Sequence, residues 1–314
     1  GYTGPVYYVE HHLSHAASSY YLSNFSEAAI VTLDGVGEWA TTTMGHGEGT
    51  KIHIDREIHF PHSLGLLYSA LTAYLGFSVN DAEYKVMGLA AYGDPKPFMP
   101  QMNALIEQFS DGSYQLDMNY FDYSFSDRMY SQKLAELFGY PKRTSESPME
   151  RHYENIAASL QRKLEEVVFQ MLKIAYRKYD LKNLCLAGGV ALNSVMNGKI
   201  LSQTPFRYLY ITPDPGDGGG ALGAALYYWH SRQKRKLTFP FYPSLGPSYP
   251  QEQIEDALKQ HKLAFERVED RNKLLDLVSK LLTEQRIIGW FQGRMEWGPR
   301  ALGNRSILAD ARNP

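Results

Sequence analysis

Three short apolar runs in this chain each stop at a glycine-rich turn, and two of the three turns also carry an acid. Ile-Val-Thr-Leu precedes Asp34-Gly-Val-Gly, Leu-Cys-Leu-Ala precedes Gly188-Gly189, and Tyr-Leu-Tyr-Ile precedes Pro213-Asp-Pro-Gly-Asp-Gly-Gly-Gly. Helical patterns stand between them. Strands that alternate with helices demand crossover connections, and the ligands of such sheets gather at the carboxyl ends of the strands. The predicted fold class is therefore α/β, with a parallel or mixed sheet and all three turns at one edge. Residues 6–9, 28–34, 40–45, 51–57, 184–187 and 208–211 read as strands, with a hairpin turn at 45–49. Helical spacing covers 12–22, 64–75, 81–91 and 155–179, then runs from about 192 and from 217 through 229. The stripe Ile156, Leu160, Leu164, Val167, Val168, Met171 and Ile174 would serve a core or a homodimer interface equally well. Residues 108–150, within an insertion at about 95–150, are polar, aromatic and irregular, and read as an inserted subdomain or lid. Pro240, Pro243, Pro247 and Pro250 mark an interdomain linker. The expected organisation is a first domain at 1–236, a linker at 237–250, and the start of a second α/β domain at 251–314, with helices near 251–260 and 270–284 and a strand at 286–291. A strand almost at the first residue, and a dense motif just before the last, read as a fragment truncated at both ends.

His11 and His15 lie four residues apart in Glu-His-His-Leu-Ser-His-Ala, so on a helix both imidazoles face one point. Neutral imidazoles that converge are good ligands for a divalent metal. Asp34, at the end of its apolar run, delivers a carboxylate to the sheet edge and completes a plausible metal face. His12 points about 100° away and is a poor third ligand. The zinc-protease signature His-Glu-x-x-His is absent, which argues against a zinc peptidase. Gly35 and Gly37, Gly188 and Gly189 with Asn193, and Gly216 and Gly218 form three turns whose amides could cradle a nucleotide phosphate. Asp217 adds a carboxylate to the third. A Rossmann fingerprint and a P-loop are both missing.

A net charge of −2 gives no electrostatic reason to expect nucleic acid, and the basic run at 232–236 is short. The single cysteine, Cys185, rules out an internal disulfide and suits a reducing compartment. No signal peptide and no membrane-length apolar run of about 18 residues are visible, so the expected location is cytoplasmic.

Six runs together carry a resemblance. They are Glu-His-His-Leu-Ser-His-Ala from residue 10, Asp-Gly-Val-Gly-Glu from 34, Pro-His-Ser-Leu-Gly-Leu-Leu-Tyr-Ser from 61, Glu-Tyr-Lys-Val-Met-Gly-Leu-Ala from 83, Gly-Gly-Val-Ala-Leu-Asn from 188, and Gly-Arg-Met-Glu-Trp-Gly-Pro-Arg-Ala-Leu-Gly-Asn-Arg-Ser-Ile-Leu-Ala-Asp from 293. With these the chain resembles the NodU/CmcH carbamoyltransferases, the nodulation-factor and antibiotic O-carbamoyltransferases. The resemblance implies an actin, hexokinase and heat-shock ATPase-like (ribonuclease H-like) domain followed by a YrdC-like domain. It implies a divalent metal of the iron type, with zinc or manganese as alternatives, held by His11, His15, Asp34 and Asp217. It further implies that carbamoyl phosphate and ATP form a carbamoyl adenylate in the second domain, and that the first passes the carbamoyl group to a hydroxyl of a small-molecule acceptor. Arg294, Arg300 and Arg305 would face anionic substrates, or else pack an interdomain seam. Glu83, Lys85 and His62 stand near the site with either an orienting or a structural role. Relative to the family pattern, an N-terminal His-Asp-Ala-Ser hairpin and the continuation past Asp310 are missing. Two other readings stand beside this one. A threonylcarbamoyl transferase acting on tRNA would need a basic surface, and a kinase-like ATPase would have no use for two convergent histidines.

Overall fold

The hairpin predicted near residue 45 opens a mixed sheet that is five-stranded among the described residues. A computed structural model describes residues 3–312. The chain divides into two compact units, Gly1–Phe239 and Pro240–Pro314. In the first, α1 (His11–Leu22) leads into β1 (Glu27–Gly37), β2 (Ala40–Glu48) and β3 (Lys51–His59). Then follow α2 (Leu64–Tyr74), α3 (Glu83–Leu89), α4 (Met99–Leu105), a small hairpin of β4 (Ile106–Gln108) and β5 (Tyr114–Leu116), and α5 (Gln132–Phe138). The long α6 (Arg151–Tyr179) precedes β6 (Asn183–Ala187), the short α7 (Ser194–Asn197) and α8 (Ile200–Gln203), β7 (Tyr208–Ile211) and α9 (Asp217–His230). The second unit holds α10 (Gln251–Gln260), α11 (Arg271–Thr283) and an antiparallel pair, β8 (Ile288–Phe291) with β9 (Arg305–Leu308).

The main sheet has the order β3-β2-β1-β6-β7, antiparallel across the first three strands and parallel from β1 to β7. Strand β1 is apolar on both sides because both sides are covered. Ala29, Val31 and Leu33 join α2 and α6 in one core, whereas Ala28 and Ile30 join α1 and α9 in another. Leu67, Leu71 and Leu160 are fully buried in the larger core. Each such side chain contributes about 1.5–3 kcal/mol, so packing rather than the polar rim holds the scaffold.

Four expectations are corrected. Residues 6–9 are not a strand; they lie in irregular backbone, with Tyr8 93% exposed. The segment 108–150 is not a detached lid, because Tyr114, Leu116, Phe121, Leu134 and Phe138 are buried in the larger core. Ile156, Leu160, Leu164, Val167, Val168 and Met171 of the α6 stripe are buried in that same core and are not left for a homodimer, while Ile174 is half-buried. The helix expected from 192 is broken into a 3-10 turn (Gly189–Leu192), α7 and α8. Asn193 causes the break, since its side chain accepts the Met196 N–H and caps a new helix. Among the described residues no helix is long and apolar enough to cross a membrane.

Candidate metal centre

Helix α1 meets the sheet through small residues. Ala16, Ala17, Ser18 and Ser19 are fully buried, so the helix lies close over β1 and brings its first turn to the strand's far end. There His11 Nε2 stands 2.8 Å and His15 Nε2 3.0 Å from the same Asp34 Oδ2. Gly37 is the residue that admits this, since a Cβ there would lie 2.1 Å from the His11 ring. Asp217, the first residue of α9, places Oδ1 3.4 Å from His11 and 3.5 Å from His15. One donor atom from each of His11, His15, Asp34 and Asp217 lies within 4.8 Å of all the others. The group is graded in exposure: the side chains of His15 and Asp34 are 1% and 12% exposed, those of His11 and Asp217 27% and 79%. Anything that reacts here must approach from the His11 and Asp217 side.

The donor set fits a cation. The two imidazole Nε2 atoms are 2.9 Å apart and share one carboxylate oxygen. Lone pairs that close repel unless a proton or a metal ion sits between them. Burial lowers the affinity of His15 for a proton, but hydrogen bonds to Asp217 and Asp34 outweigh it, raising its pKa to about 9. Burial raises the Asp34 pKa, yet hydrogen bonds from His11 and His15 hold the carboxyl well below the usual carboxylate range. In effect a proton on His15 occupies the place a metal would take.

The surrounding shell is built to hold these groups still. The Gly189 N–H donates to Asp34 Oδ1 at 3.0 Å. The Ser63 hydroxyl donates to the Gly35 carbonyl at 2.6 Å and caps α2, which ties that helix to the end of β1. His12 is buried, and burial lowers its pKa to about 4. Its Nε2 faces the Ala40 carbonyl at 2.9 Å, so that nitrogen carries the hydrogen. Nδ1 then accepts from Thr32 at 2.6 Å, and Thr32 in turn accepts from Thr43 at 2.6 Å. His12 thus pins α1 to β1 and β2, its ring packed beside those of His11 and His15 but both its nitrogens turned to Thr32 and Ala40. Changing His12→Leu takes a partner from the Ala40 carbonyl and leaves the Thr32 hydroxyl hydrogen without its acceptor, at about 1–3 kcal/mol each. We expect a lower denaturation midpoint and, because α1 is then seated less firmly against β1, a metal affinity weakened by up to roughly tenfold. Urea unfolding and metal titration of the variant check both.

The glycine turns do not all act as expected. Asp34-Gly-Val-Gly is not a turn: β1 continues through Gly37, and the reversal comes at Glu38 and Trp39, with Glu38 in a left-handed conformation. Gly37 accordingly provides close packing against His11, whereas a Cβ at Gly35 would meet only Leu66, at 3.9 Å. The amides of the second turn are spent internally. Gly188 donates to Pro215, Gly189 to Asp34, and Asn193 to Val190. The Asn193 side chain is also engaged, exchanging hydrogen bonds of 3.0 and 2.8 Å with Gln161. In the third turn the Gly216 N–H is likewise taken by the Asp214 carboxylate, which leaves Gly218, in the first turn of α9, as the remaining candidate. At Gly218 a Cβ would lie 2.1 Å from Asp214 Oδ2. Asp214 is the residue that the sequence did not single out. It is nearly buried, burial raises its pKa, and it stands in the field of His15 and Asp217.

Arg300 and Arg305 belong to the second unit, and there Arg305 is occupied by Glu296 Oε2 at 3.7 Å and by the carbonyl of Gly298. Arg294 Nε donates to the Gly246 carbonyl at 2.7 Å. Glu83 accepts from the Ser69 hydroxyl at 2.8 Å and the Asn80 N–H at 2.9 Å. His62 Nδ1 accepts the Leu116 N–H at 3.1 Å. Both are structural ties. Cys185 is fully buried, which pushes its thiol up to about 12 and makes it chemically quiet.

Comparison with known proteins adds an independent line. A family model described as carbamoyltransferase N-terminus matches residues 2–226, and one described as carbamoyltransferase C-terminus matches 279–314. The uncharacterized protein sll1178 of Synechocystis is 47% identical over 98% of this chain and 51% of its own length. The nodulation protein NolNO of Sinorhizobium fredii is 37% identical over 98% of this chain and 44% of its own. The 3'-hydroxymethylcephem-O-carbamoyltransferase of Streptomyces clavuligerus is 28% identical over 74% of this chain and 40% of its own. The chain spans about half the length of the curated relatives it matches. With a family match across the whole region that builds the donor group, this chain belongs to the carbamoyltransferase family.

Proposed function

We propose that this chain carries the transfer centre of an O-carbamoyltransferase, one that moves a carbamoyl group from carbamoyl adenylate to a hydroxyl of a small-molecule acceptor. The observation that carries the reading is the convergence of His11, His15, Asp34 and Asp217 at the carboxyl ends of parallel strands. The family match and the similarity to a cephem O-carbamoyltransferase support it. The mixed strand order is compatible with the actin, hexokinase and heat-shock ATPase-like superfold that the resemblance implies.

In this reading the four side chains hold an iron-type divalent metal, for which zinc or manganese would substitute. When bound, such an ion supplies Lewis acidity toward a carbonyl oxygen. The protein's own groups do the rest. Gly189 fixes the Asp34 carboxylate, and His12 and the small-residue face of α1 fix both imidazoles. The first turn of α9, where Gly218 lies, offers a helix N-terminus to the phosphate of the adenylate. The exposed Asp217 side is the open route for the acceptor. In the transfer, the acceptor oxygen bonds to the carbamoyl carbon, the bond from that carbon to the phosphate oxygen breaks, AMP leaves, and the hydroxyl proton passes to solvent. Carbamoyl phosphate and ATP would supply the adenylate, with Arg300 and Arg305 in the second unit serving that activation.

The test is direct. The iron-loaded protein is incubated with synthetic carbamoyl adenylate and a panel of hydroxylated acceptors, and products are read by mass spectrometry. A mass gain of one carbamoyl group on an acceptor, with AMP released in equal amount, is the expected result. ATP hydrolysis by metal-free protein, with no carbamoylated product from any acceptor, would instead establish the kinase-like reading.

A further inference from the structure

A second feature lies on the α6 side of the sheet, away from α1 and α9. A surface cleft of about 750 Å³ runs along α6 and is lined by Gln108, Arg162, Glu165, Lys173, Arg177 and Lys199, among others. Two of its cations are neutralised locally. Arg162 pairs with Glu166 at 2.8 Å, and Lys199 pairs with Glu165 at 2.6 Å. Lys173 and Arg177 have no acidic partner among the described residues. They are one helical turn apart, so they face the cleft side by side. A guanidinium fork beside an ammonium suits the oxygens of a phosphate group.

The cleft is also wired to the donor group. Lys199 Nζ holds both oxygens of Glu165, at 2.6 and 2.8 Å, and Glu165 is nearly buried. Gln161 Nε2 reaches Glu165 Oε1 at 3.0 Å and Asn193 Oδ1 at 3.0 Å. Asn193 caps α7 and closes the 188–193 turn, from which Gly189 grips Asp34. The three inner links, Glu165, Gln161 and Asn193, are buried, where an unmade hydrogen bond is costly, while Lys199 at the cleft end is half-exposed.

We infer that this cleft binds a phosphate-bearing small molecule on Lys173, Arg177 and Lys199, and that its occupancy is felt at Asp34 through Glu165, Gln161 and Asn193. An anion there competes with Glu165 for Lys199. Glu165 then leans on Gln161, and Gln161 loosens its exchange with Asn193. The consequence is a change in how firmly the 188–193 turn holds the Asp34 carboxylate. This site is separate from the transfer centre and does not depend on that reading.

Inorganic pyrophosphate is the probe, titrated calorimetrically into metal-free protein in the presence of chelator. We expect one binding event, weakened at least tenfold in Lys173→Glu/Arg177→Glu, whose thermal melt should match the wild type because both residues are exposed. Lys173→Ala should show a smaller loss. Hydrogen exchange read by mass spectrometry should show altered protection of residues 188–197 on adding pyrophosphate to the wild type, and none in the double variant. Equal binding by wild type and double variant, or no binding at all, overturns the site. Binding in the cleft with unchanged exchange at 188–197 overturns the coupling.

Discussion

Changing His15→Ala should yield a purified protein without stoichiometric divalent metal, where the wild type holds about one equivalent. His15 is the most deeply buried of the four donors, and its removal leaves Asp34 facing only His11 and the Gly189 N–H within the group. The loss of affinity should exceed roughly 100-fold, the upper end of what removing an outer partner does. Metal analysis after desalting reads it, and a His15→Ala protein that keeps one equivalent of iron or zinc would sink the proposed centre. A second readout separates metal loss from simple damage. In the metal-free wild type the His15 pKa is raised from its ordinary 6.5 to about 9, so the folded state holds a proton that the unfolded state releases. That contribution is fully present below pH 6.5 and is lost as pH rises through about 9. Metal-free wild type should therefore lose stability across that interval, and His15→Ala should not show this component. Zinc should flatten the wild-type curve, because the ion replaces the proton.

How much of this was legible in the sequence depends on the range over which each feature is decided. The His11 and His15 pair could be read because helical periodicity is local, and Asp34 because an apolar strand announces its own end. Asp217 needed the resemblance, since only the crossing of α1 and α9 brings it near. Asp214 was missed, although Pro213-Asp-Pro-Gly is a turn that fixes a carboxylate's position. Residues 6–9 carry strand-forming Val and Tyr, but Tyr7 packs its ring on Tyr228 of α9, and local propensity without a paired strand decides nothing. Residues 108–150 looked like a lid because composition hides which aromatics point inward; Tyr114 and Phe121 do. The glycines at 35, 37, 188 and 189 were read as letting a phosphate approach, and at three of them, Gly37, Gly188 and Gly189, another group of the chain stands where a Cβ would be. What approaches them was not visible. At Gly37 it is an imidazole and at Gly189 a carboxylate, in place of a phosphate. Nothing in a glycine's identity states which neighbour requires it.

That same reasoning makes Gly223 the glycine on which the approach of α1 to α9 depends. It lies on α9, and a Cβ there would come within 1.9 Å of the Ser14 carbonyl oxygen and 3.1 Å of the Ser18 nitrogen on α1. Both obstacles are backbone, so no side chain can swing aside. The two helices must separate by roughly an ångström or more, or the alanine is not accommodated. Overpacking of this kind costs about 1–3 kcal/mol and occasionally more. It also acts on the chemistry, because α9 carries Asp217 and α1 carries His11 and His15, already at the edge of contact at 3.4 and 3.5 Å. Changing Gly223→Ala should thus lower the melting temperature by several degrees and weaken metal binding roughly tenfold, with Asp34 and both histidines untouched. The control sits three residues earlier on the same helix. A Cβ at Gly220 meets nothing within 4 Å, and replacing glycine by alanine inside a helix stabilises by up to about 1 kcal/mol. Gly220→Ala should melt at the same temperature or higher and bind metal normally. If the two variants behaved alike, the distance between α1 and α9 would not be what positions Asp217, and the donor group would have to owe its geometry to β1 alone.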